Sequence, residues 1–260
     1  YIGEASVRPY YTIKCYKYRN GVFGTDKSDD INMGLSSDEF AEREKVYAIP
    51  GDFLGNGSTQ FMMVVANNYL GVFSIGGVTV NIGYSKKVYL TDINGNGKQE
   101  LMCMTDNTTN FYEYSKLSNS FVKIYSTDKF HHKDKIHIGD FNGDGNTDIL
   151  RQEFIRSYYG YWSIWRSTGT SLFDIGIDKK VIPDDDVKLM LLDINQDGET
   201  DILAKYPNYD DSGYFPHVKD YSMKLLLSVG NTFVNVLGLN NKKSLDFDFS
   251  AYGKFDSDLN

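Results

Sequence analysis

The sequence predicts an all-β protein with the fold of a β-propeller built from four-stranded blades. A short acidic loop recurs along the chain, each copy joins two stretches of strand-like composition, and each interval holds enough residues for four strands. Counted from the first position of the loop, the copies are 40, 48, 53 and 61 residues apart. Periods of about 40 to 60 residues indicate propeller blades or similar arrays.

One copy of the loop shows the pattern most clearly, the stretch "GDFNGDGNTDIL" at residues 139–150. Acidic or amide side chains stand at positions 1, 3, 5 and 9, and a glycine at position 6 permits the sharp turn. Hard oxygen ligands in this arrangement, together with a backbone carbonyl at position 7, suit Ca²⁺. The predicted ligands are Asp140, Asn142, Asp144, the carbonyl of Asn146, and Asp148.

The EF-hand loop is the alternative explanation of this spacing, because it begins in the same way. It requires a bidentate Glu at position 12 and a helix on each side. Position 12 is Arg151, and the flanks "KIHIGD" and "DILRQEF" are rich in β-branched residues and lack a 3.6-residue period. The loop is therefore predicted to close a β-hairpin.

Two further copies keep the pattern of oxygen ligands. One is expected to bind as well as the first; its ligands are Asp193, Asn195, Asp197, the carbonyl of Glu199, and Asp201. The other has fewer charges and is expected to bind more weakly, because calcium affinity depends on ligand charge. Its ligands are Asp92, Asn94, Asn96, the carbonyl of Lys98, and Glu100.

The remaining copies are degenerate. The loop at Asp52 has Leu54 at position 3 and Gln60 at position 9, so we expect it to keep the turn without an ion. A last echo near the end of the chain has Lys254 at position 1. The sequence thus predicts two to three structural Ca²⁺ ions; the alternative for every copy is an Asx-rich turn without metal.

The motif D-x-[DN]-x-[DN]-G-x-x-[DE], repeated in register, resembles the FG-GAP/VCBS repeat over roughly residues 46–260. Such calcium-loop blades occur in integrin α-subunit heads, in secreted bacterial proteins and in Tc-toxin and Rhs-type shells. The resemblance implies a propeller but not one function, since members serve as adhesion heads, lectins, shell parts or accessory domains of carbohydrate-active enzymes.

A single domain over residues 1–260 is predicted, with five blades. The first and last segments of the chain would share one sheet, which protects its edges. The alternative is a fragment of a seven-bladed ring, as in integrins. The predicted blades are residues 46–82, 88–126, 135–178 and 187–238, and a composite of 1–30 with 245–260.

Composition restricts the classes of partner. The net charge of −8 argues against nucleic acid, and three bound Ca²⁺ ions would reduce it to −2. No apolar run reaches the length of a membrane span, so no membrane insertion is expected. The chain begins without Met or a signal-like segment, which suggests a piece of a larger polypeptide. Millimolar extracellular Ca²⁺ suits weak loops, so we expect a secreted or cell-surface location.

The two cysteines, Cys15 and Cys103, lie in apolar, strand-like runs. One disulfide is possible, but two buried thiols are preferred. No catalytic motif is found, and a non-enzyme is expected. His131 and His132 lie in the charged connector "KFHHKDK" and are interpreted as solvated surface residues.

The best candidate for specific recognition is the longest insertion, residues 206–221. Tyr209, Tyr214 and Phe215 could stack on a sugar or anchor a protein partner; the alternative is a packed loop that covers a blade face. A weaker candidate is the aromatic strand with Tyr159, Tyr161, Trp162 and Trp165.

The sequence therefore predicts a non-catalytic, calcium-stabilised propeller that serves as a binding or scaffold module of a larger secreted or cell-surface protein, with a protein or glycan as ligand. The alternatives are a carbohydrate-binding, lectin-like module and an accessory part of a polysaccharide-degrading enzyme.

Overall fold

The computed structural model describes residues 10–13, 16–19, 22–25, 31–36, 46–65, 71–73, 79–80, 85–155, 158–177, 182, 187–210, 217–230 and 232–239. Every regular element in these residues is a β-strand, which confirms the all-β prediction. Strands alone also exclude the EF-hand, whose loop lies between helices.

Four-stranded antiparallel sheets, in which consecutive strands are neighbours, dominate the fold. This is the arrangement of propeller blades, as predicted. The short N-terminal strands are β1 (Tyr10–Ile13), β2 (Tyr16–Arg19), β3 (Val22–Thr25) and β4 (Ile31–Ser36). The first sheet contains β5 (Val46–Gly51), β6 (Gln60–Val65), β7 (Gly71–Phe73) and β8 (Thr79–Val80). The second contains β9 (Lys87–Thr91), β10 (Glu100–Met104), β11 (Thr109–Ser115) and β12 (Ser120–Thr127).

The other two blade-like sheets follow in the second half of the chain. The third contains β13 (Lys135–Gly139), β14 (Asp148–Ile155), β15 (Tyr158–Ser167) and β16 (Leu172–Asp174). The fourth contains β17 (Lys188–Leu192), β18 (Asp201–Asp210), β19 (His217–Val229) and β20 (Thr232–Leu239). In all four sheets the acidic loop joins the first strand to the second, as the sequence predicts.

The N-terminal strands form two-stranded antiparallel sheets, in which β1 pairs with β4 and β2 pairs with β3. The β2–β3 hairpin belongs to the segment assigned to the composite blade, whereas pairing with β4 was not foreseen. The C-terminal half of that blade, residues 245–260, lies outside the described residues. The composite blade therefore stays a prediction.

Two compact units divide the chain. One contains residues 1–92 and 96–132, and the other contains residues 93–95 and 133–260. Each unit has its own apolar core.

In the first unit, the core joins the first and second four-stranded sheets. Phe53, from the first acidic loop, is fully buried and meets Phe121 of β12 edge to face, with ring centroids 6.0 Å apart. Phe121 in turn meets Tyr114 of β11 at 5.8 Å. Such aromatic contacts between sheets contribute to the core of the unit. The buried core residues are Phe53, Met62, Leu101, Cys103, Tyr114 and Phe121.

The second unit repeats this contact. Phe141, at the same loop position as Phe53, is fully buried and meets Phe233 of β20 with centroids 5.9 Å apart. Residue 2 of the acidic loop is thus an apolar plug that packs against the fourth strand of the next sheet. The buried core residues are Phe141, Leu150, Trp162, Ile164, Ile182, Val187, Ile202, Ala204, Leu226 and Phe233.

Cys103 is a free thiol in the core of the first unit, and burial raises its pKa to about 12. This agrees with the buried-thiol interpretation for this residue. Cys15 lies outside the described residues.

His137 of β13 is a half-buried histidine that packs against Trp162, with ring centroids 5.7 Å apart. Burial, reinforced by the positive charge of Lys135, lowers the pKa of His137 to about 4. The imidazole is therefore neutral in the fold at neutral pH and takes up a proton more readily in the unfolded chain.

Because the unfolded chain binds this proton first, we expect folding stability to fall as the pH drops from about 6.5 toward 4. His137 should contribute about 3 kcal/mol to that loss. Urea unfolding at several pH values, compared with His137→Gln, measures it, and the variant should show a shallower slope. The exposed His217→Gln is the matched control; an equal change of slope in both variants would contradict the assignment.

Candidate functional site

The first residue of each acidic loop organises the backbone that follows it. Asp140 accepts hydrogen bonds from the N–H groups of Gly143 and Gly145, both at 2.8 Å, and a longer one from Asp144 at 3.3 Å. Asp193 accepts from Asp197 at 3.1 Å and from Gly198 at 3.0 Å. A single carboxylate thus closes the loop as an Asx turn.

Side chains at positions 3 and 5 contact each other. The Asn142 amide donates to Asp144 Oδ2 at 2.8 Å, and the Asn195 amide donates to Asp197 Oδ2 at 2.7 Å. The position-1 carboxylate holds the backbone of the same segment, so oxygen-bearing side chains of positions 1, 3 and 5 belong to one short turn. The Glu199 carboxylate instead accepts the Gly230 N–H at 3.0 Å, so it is engaged outside its own loop.

The side chain at position 9 differs from those at positions 1, 3 and 5, because it is turned into the hairpin and fully buried. Asp148 accepts the N–H of Phe141 at 3.1 Å and that of Ser167, on the third strand, at 2.8 Å. Asp201 makes the equivalent bonds, from Ile194 at 2.9 Å and from Ser228 at 2.9 Å. This residue ties the loop to both the second and the third strand.

Burial and neighbouring hydrogen-bond donors act on the pKa of Asp148 in opposite directions. Burial raises the pKa of Asp148 to about 6, although the backbone donor of Ser167 and the Arg166 guanidinium, 3.7 Å away, act in the opposite direction. Arg166 is itself buried and also donates to the carbonyls of Phe141 and Gly230. Sequence reasoning missed Arg166, since an isolated arginine in a strand carries no recognisable signal.

The donor set of the third and fourth loops fits Ca²⁺ at positions 1, 3 and 5, where the ligands are oxygens of small side chains. Position 9 fits less directly. In the described residues, none of the loops brings three carboxylates within 4.8 Å of one another. Each carboxylate oxygen of Asp148 and Asp201 has a second lone pair beyond the backbone bond it accepts, so these residues keep acceptor capacity.

The second loop has a neighbour that the sequence did not reveal. Glu113, on β11, accepts the Asn96 amide at 2.8 Å and forms an ion pair with Lys98 at 2.8 Å. Asp92 keeps the usual turn, accepting the N–H groups of Asn96 at 3.0 Å and Gly97 at 2.9 Å. Glu100, at position 9, is fully buried.

The first loop forms the same turn with fewer charges. Gln60 replaces the acid at position 9 and accepts the N–H of Phe53 at 2.7 Å. Asp52 accepts the N–H groups of Gly57 and Asn56. Desolvation is the largest single influence and raises the pKa of Asp52, but the backbone donors together outweigh it, so the pKa lies below the usual value. The hairpin therefore needs an acceptor at position 9, not a charge.

Hydrogen bonds also join successive loops through the residue at position 8, which the sequence did not indicate. Thr200 accepts the Asp140 N–H at 3.0 Å through its hydroxyl and donates its own N–H to the Asp140 carbonyl at 2.6 Å. Gln99 makes the same pair of bonds with Asp52, both at 2.9 Å. A Cβ at Gly139 would stand 2.8 Å from the Thr200 methyl, which explains the glycine before this aspartate.

Position 4 explains a second set of glycines. Gly143 has a φ of +68°, and a Cβ there would lie 3.3 Å from Glu199 Cγ in the next loop. Gly55 faces Lys98 and Gly95 faces Asn146 in the same way, each with a Cβ approach of 2.7 Å. The fourth loop has Gln196 at this position, with a φ of +62°.

The predicted recognition loop is in large part an extended hairpin. Residues 206–210 continue β18 and residues 217–221 continue β19, with Tyr209 paired to Val218. Residues 206–210 and 217–221 are therefore strands and not the predicted loop, because cross-strand pairing outweighs the low strand preference of Pro, Asn and Asp. The Asn208 amide contributes, since it bridges Asp220 and Ser222. We name this extension the β18–β19 arm.

Tyr209 and Val218 are both exposed on the arm, whereas Tyr214 and Phe215 lie outside the described residues. In the second aromatic candidate, Trp162 and Trp165 are buried and belong to the interior of the protein. Tyr161 is exposed there.

Comparison with known proteins agrees with the repeat pattern. Residues 92–151 match the family model of the FG-GAP-like repeat. This part of the chain is an FG-GAP-like repeat. It spans the second and third acidic loops, so the resemblance drawn from the loop spacing is confirmed there. No curated protein matches the chain significantly.

Solved structures are similar at low identity. One is a lectin of Agrocybe aegerita described as specifically recognising non-reducing terminal N-acetylglucosamine; its TM-score is 0.51 at 15% identity, over 74% of this chain and 52% of the lectin chain. Another is the Tc holotoxin pore of Photorhabdus luminescens, with a TM-score of 0.47 at 13% identity, over 92% of this chain and 11% of that one. This chain thus spans about half of the lectin and about a tenth of the toxin chain. The likeness to the lectin shows the fold.

The strained position in the fourth acidic loop gives a prediction. Gln196→Gly should stabilise the protein by about 1 kcal/mol, because glycine adopts a positive φ without steric cost. Gln196→Ala is the control, since it keeps the Cβ and should bring no such gain. Urea denaturation measures both, and equal stability of the two variants would contradict the interpretation.

Proposed function

We propose that this chain is a non-catalytic, calcium-stabilised β-propeller that serves as a binding or scaffold module of a larger secreted or cell-surface protein. The observation that carries the proposal is that, in the third and fourth loops, the side chains at positions 3 and 5 contact each other while the position-1 carboxylate binds the backbone of position 5. The weaker second loop would be a third site.

In these loops, Asp140, Asn142 and Asp144, and likewise Asp193, Asn195 and Asp197, would hold the ion with the position-7 carbonyls. Bound Ca²⁺ would supply positive charge that offsets repulsion between the carboxylates. The residues of the chain do the rest: position 1 folds the turn, and position 9 anchors it to the sheet.

A contact between loops would spread this stabilisation. The Asp140 backbone is held by Thr200, which lies next to the buried Asp201. Ordering the third loop therefore favours order in the fourth. This supports a structural role for the ions. We further propose an extracellular location, because weak calcium modules are saturated at about 10⁻⁴ to 10⁻³ M Ca²⁺.

The proposed partner is a protein or a glycan, bound by the β18–β19 arm. The arm presents Tyr209, 43% exposed, beside the similarly exposed Val218. Its base is stiffened by cation–π contacts, in which Lys205 lies 4.4 Å from the Tyr221 ring and Lys224 lies 5.4 Å from the Tyr206 ring. A pre-organised aromatic side chain loses little conformational entropy when it binds.

A lectin-like module is the second candidate function, and it is favoured by this same exposed aromatic residue on an ordered hairpin. The similar lectin contributes only its fold to this argument. An accessory role in a polysaccharide-degrading enzyme remains a further form of the same proposal. We do not propose nucleic acid as a partner, because the chain carries a net charge of −8. Within the described part of the chain, no helix is long and apolar enough to cross a membrane.

Calcium titration tests the main proposal. Calorimetry on the full chain should detect two or three sites, and the double variant Asp140→Ala with Asp193→Ala should lose two of them. At a hundredfold excess over Kd, each site should stabilise the fold by about 2.7 kcal/mol, measured by thermal melting in Ca²⁺ and in EDTA.

Asp52→Ala is the matched control, because Asp52 closes the same kind of turn but has Leu54 in place of an oxygen ligand. It should lower stability equally in Ca²⁺ and in EDTA. If wild type binds no Ca²⁺ and melts identically in both buffers, the loops are metal-free Asx turns and the proposal fails.

The recognition surface gives a separate prediction. Tyr209→Ala should weaken binding to any glycan or protein ligand found on an array by about tenfold or more, since stacked aromatic anchors dominate binding energy. Phe173→Ala removes an exposed aromatic of another sheet and should leave binding unchanged. Equal effects of the two substitutions would show that the arm is not the binding surface.

A further inference from the structure

A cluster of metal-ligating side chains lies away from the acidic loops, in the first unit. Asp106, His131 and His132 each offer a ligand atom, and these atoms all lie within 4.8 Å of one another. His132 Nδ1 is 3.2 Å from Asp106 Oδ1, and the two imidazole rings are 4.3 Å apart. The interpretation of His131 and His132 as solvated surface residues is corrected here, because both side chains are partly buried and lie against Asp106 or each other.

Short, well-anchored segments hold the three residues in place. Asp106 lies in the connection between β10 and β11, where Thr105 accepts the Thr108 N–H at 3.0 Å and donates its own N–H to the Thr108 carbonyl at 2.8 Å. The histidines follow Phe130, which is buried and accepts the Thr109 hydroxyl through its carbonyl at 3.2 Å. Both segments are therefore anchored at the start of β11, one through Thr108 and the other through Thr109.

The surroundings differ from those of an ordinary exposed pair. The side chain of His132 is only 16% exposed, although Asp106 is half exposed. Partial burial of an imidazole beside a carboxylate limits the freedom of both groups, so little ordering is needed before an ion binds. Imidazole nitrogen with one carboxylate suits zinc and other divalent transition metals, whereas calcium prefers oxygen alone.

We propose that Asp106, His131 and His132 form a binding site for Zn²⁺ or a similar divalent transition metal. Three protein ligands leave one position of a tetrahedral ion open for water or for a donor from a partner. This site is independent of the acidic loops and of the proposed calcium function, because it shares no residue with them.

Lys86 competes with the metal. Its ammonium lies 2.5 Å from Asp106 Oδ1, so the ion must take over a carboxylate that is paired in the metal-free protein. The hydrogen bond from Lys86 is the main cause that lowers the pKa of Asp106. Removal of the lysine should therefore strengthen zinc binding, an effect that a simple structural ion pair does not predict.

Zinc titration by calorimetry on the full chain, stripped of metal and kept in calcium-free buffer, tests the proposal. Wild type should bind one Zn²⁺ at this site, while Asp106→Asn, His131→Asn and His132→Asn should each bind at least about tenfold more weakly. Lys86→Met should bind several times more tightly. His217→Asn and Asp128→Asn replace an exposed histidine and an exposed aspartate and should bind as wild type does.

Thermal melting of each variant without zinc establishes that it is folded. Zinc should raise the melting temperature of wild type and Lys86→Met more than that of Asp106→Asn. Absence of zinc binding in wild type overturns the proposal. Wild-type affinity in Asp106→Asn, or no gain in Lys86→Met, also overturns it, because the ion would then be held by the histidine pair alone. Asp140→Ala should leave zinc binding intact, which separates this outcome from failure of the calcium proposal.

Discussion

A buried acceptor at position 9 of the acidic loop is the interaction on which the hairpins depend. Asp148 and Asp201 each accept one N–H from the loop and one from the third strand, so a single side chain fixes three segments of the sheet. An unsatisfied buried N–H costs about 1 to 3 kcal/mol, which makes this position hard to vary. Gln60 shows what is essential, because it keeps the oxygen and loses the charge.

The same loops connect neighbouring sheets of a unit in a repeated way. Ser228 on the third strand of the fourth sheet donates its hydroxyl to the Phe141 carbonyl, and Phe141 also inserts its ring against Phe233. The Ser167 hydroxyl donates to the Ile93 carbonyl in the same way, also within the second unit. Polar links thus run alongside the apolar plug at position 2. This double connection explains how short sheets, which bury little surface individually, are held together.

Charged side chains also occupy regular positions in the acidic loops. Carboxylates at position 9 are buried and bind backbone amides of two strands, while those at positions 1 and 5 lie nearer the surface. Glu113 and Arg166, which lie on the third strands of their sheets, form ion pairs with Lys98 and Asp148 of the acidic loops. The Asp106, His131 and His132 cluster lies outside this scheme, at the end of the second sheet. Its ligand chemistry is distinct, so two kinds of metal would act on different parts of the chain.

Local spacing in the sequence determined the acidic turns, the strands beside them and the four-stranded repeat, because period, turn chemistry and β-branched composition are properties of neighbouring residues. The FG-GAP resemblance followed from the same residues. Tertiary structure alone decided which side chains meet across the sequence: Thr200 with Asp140, Arg166 with Asp148, and Asp106 with the two histidines. It also turned residues 206–210 and 217–221 into paired strands against their local preference. Such contacts depend on how the strands pair and how the sheets pack, and neither is encoded in the spacing of residues along one segment.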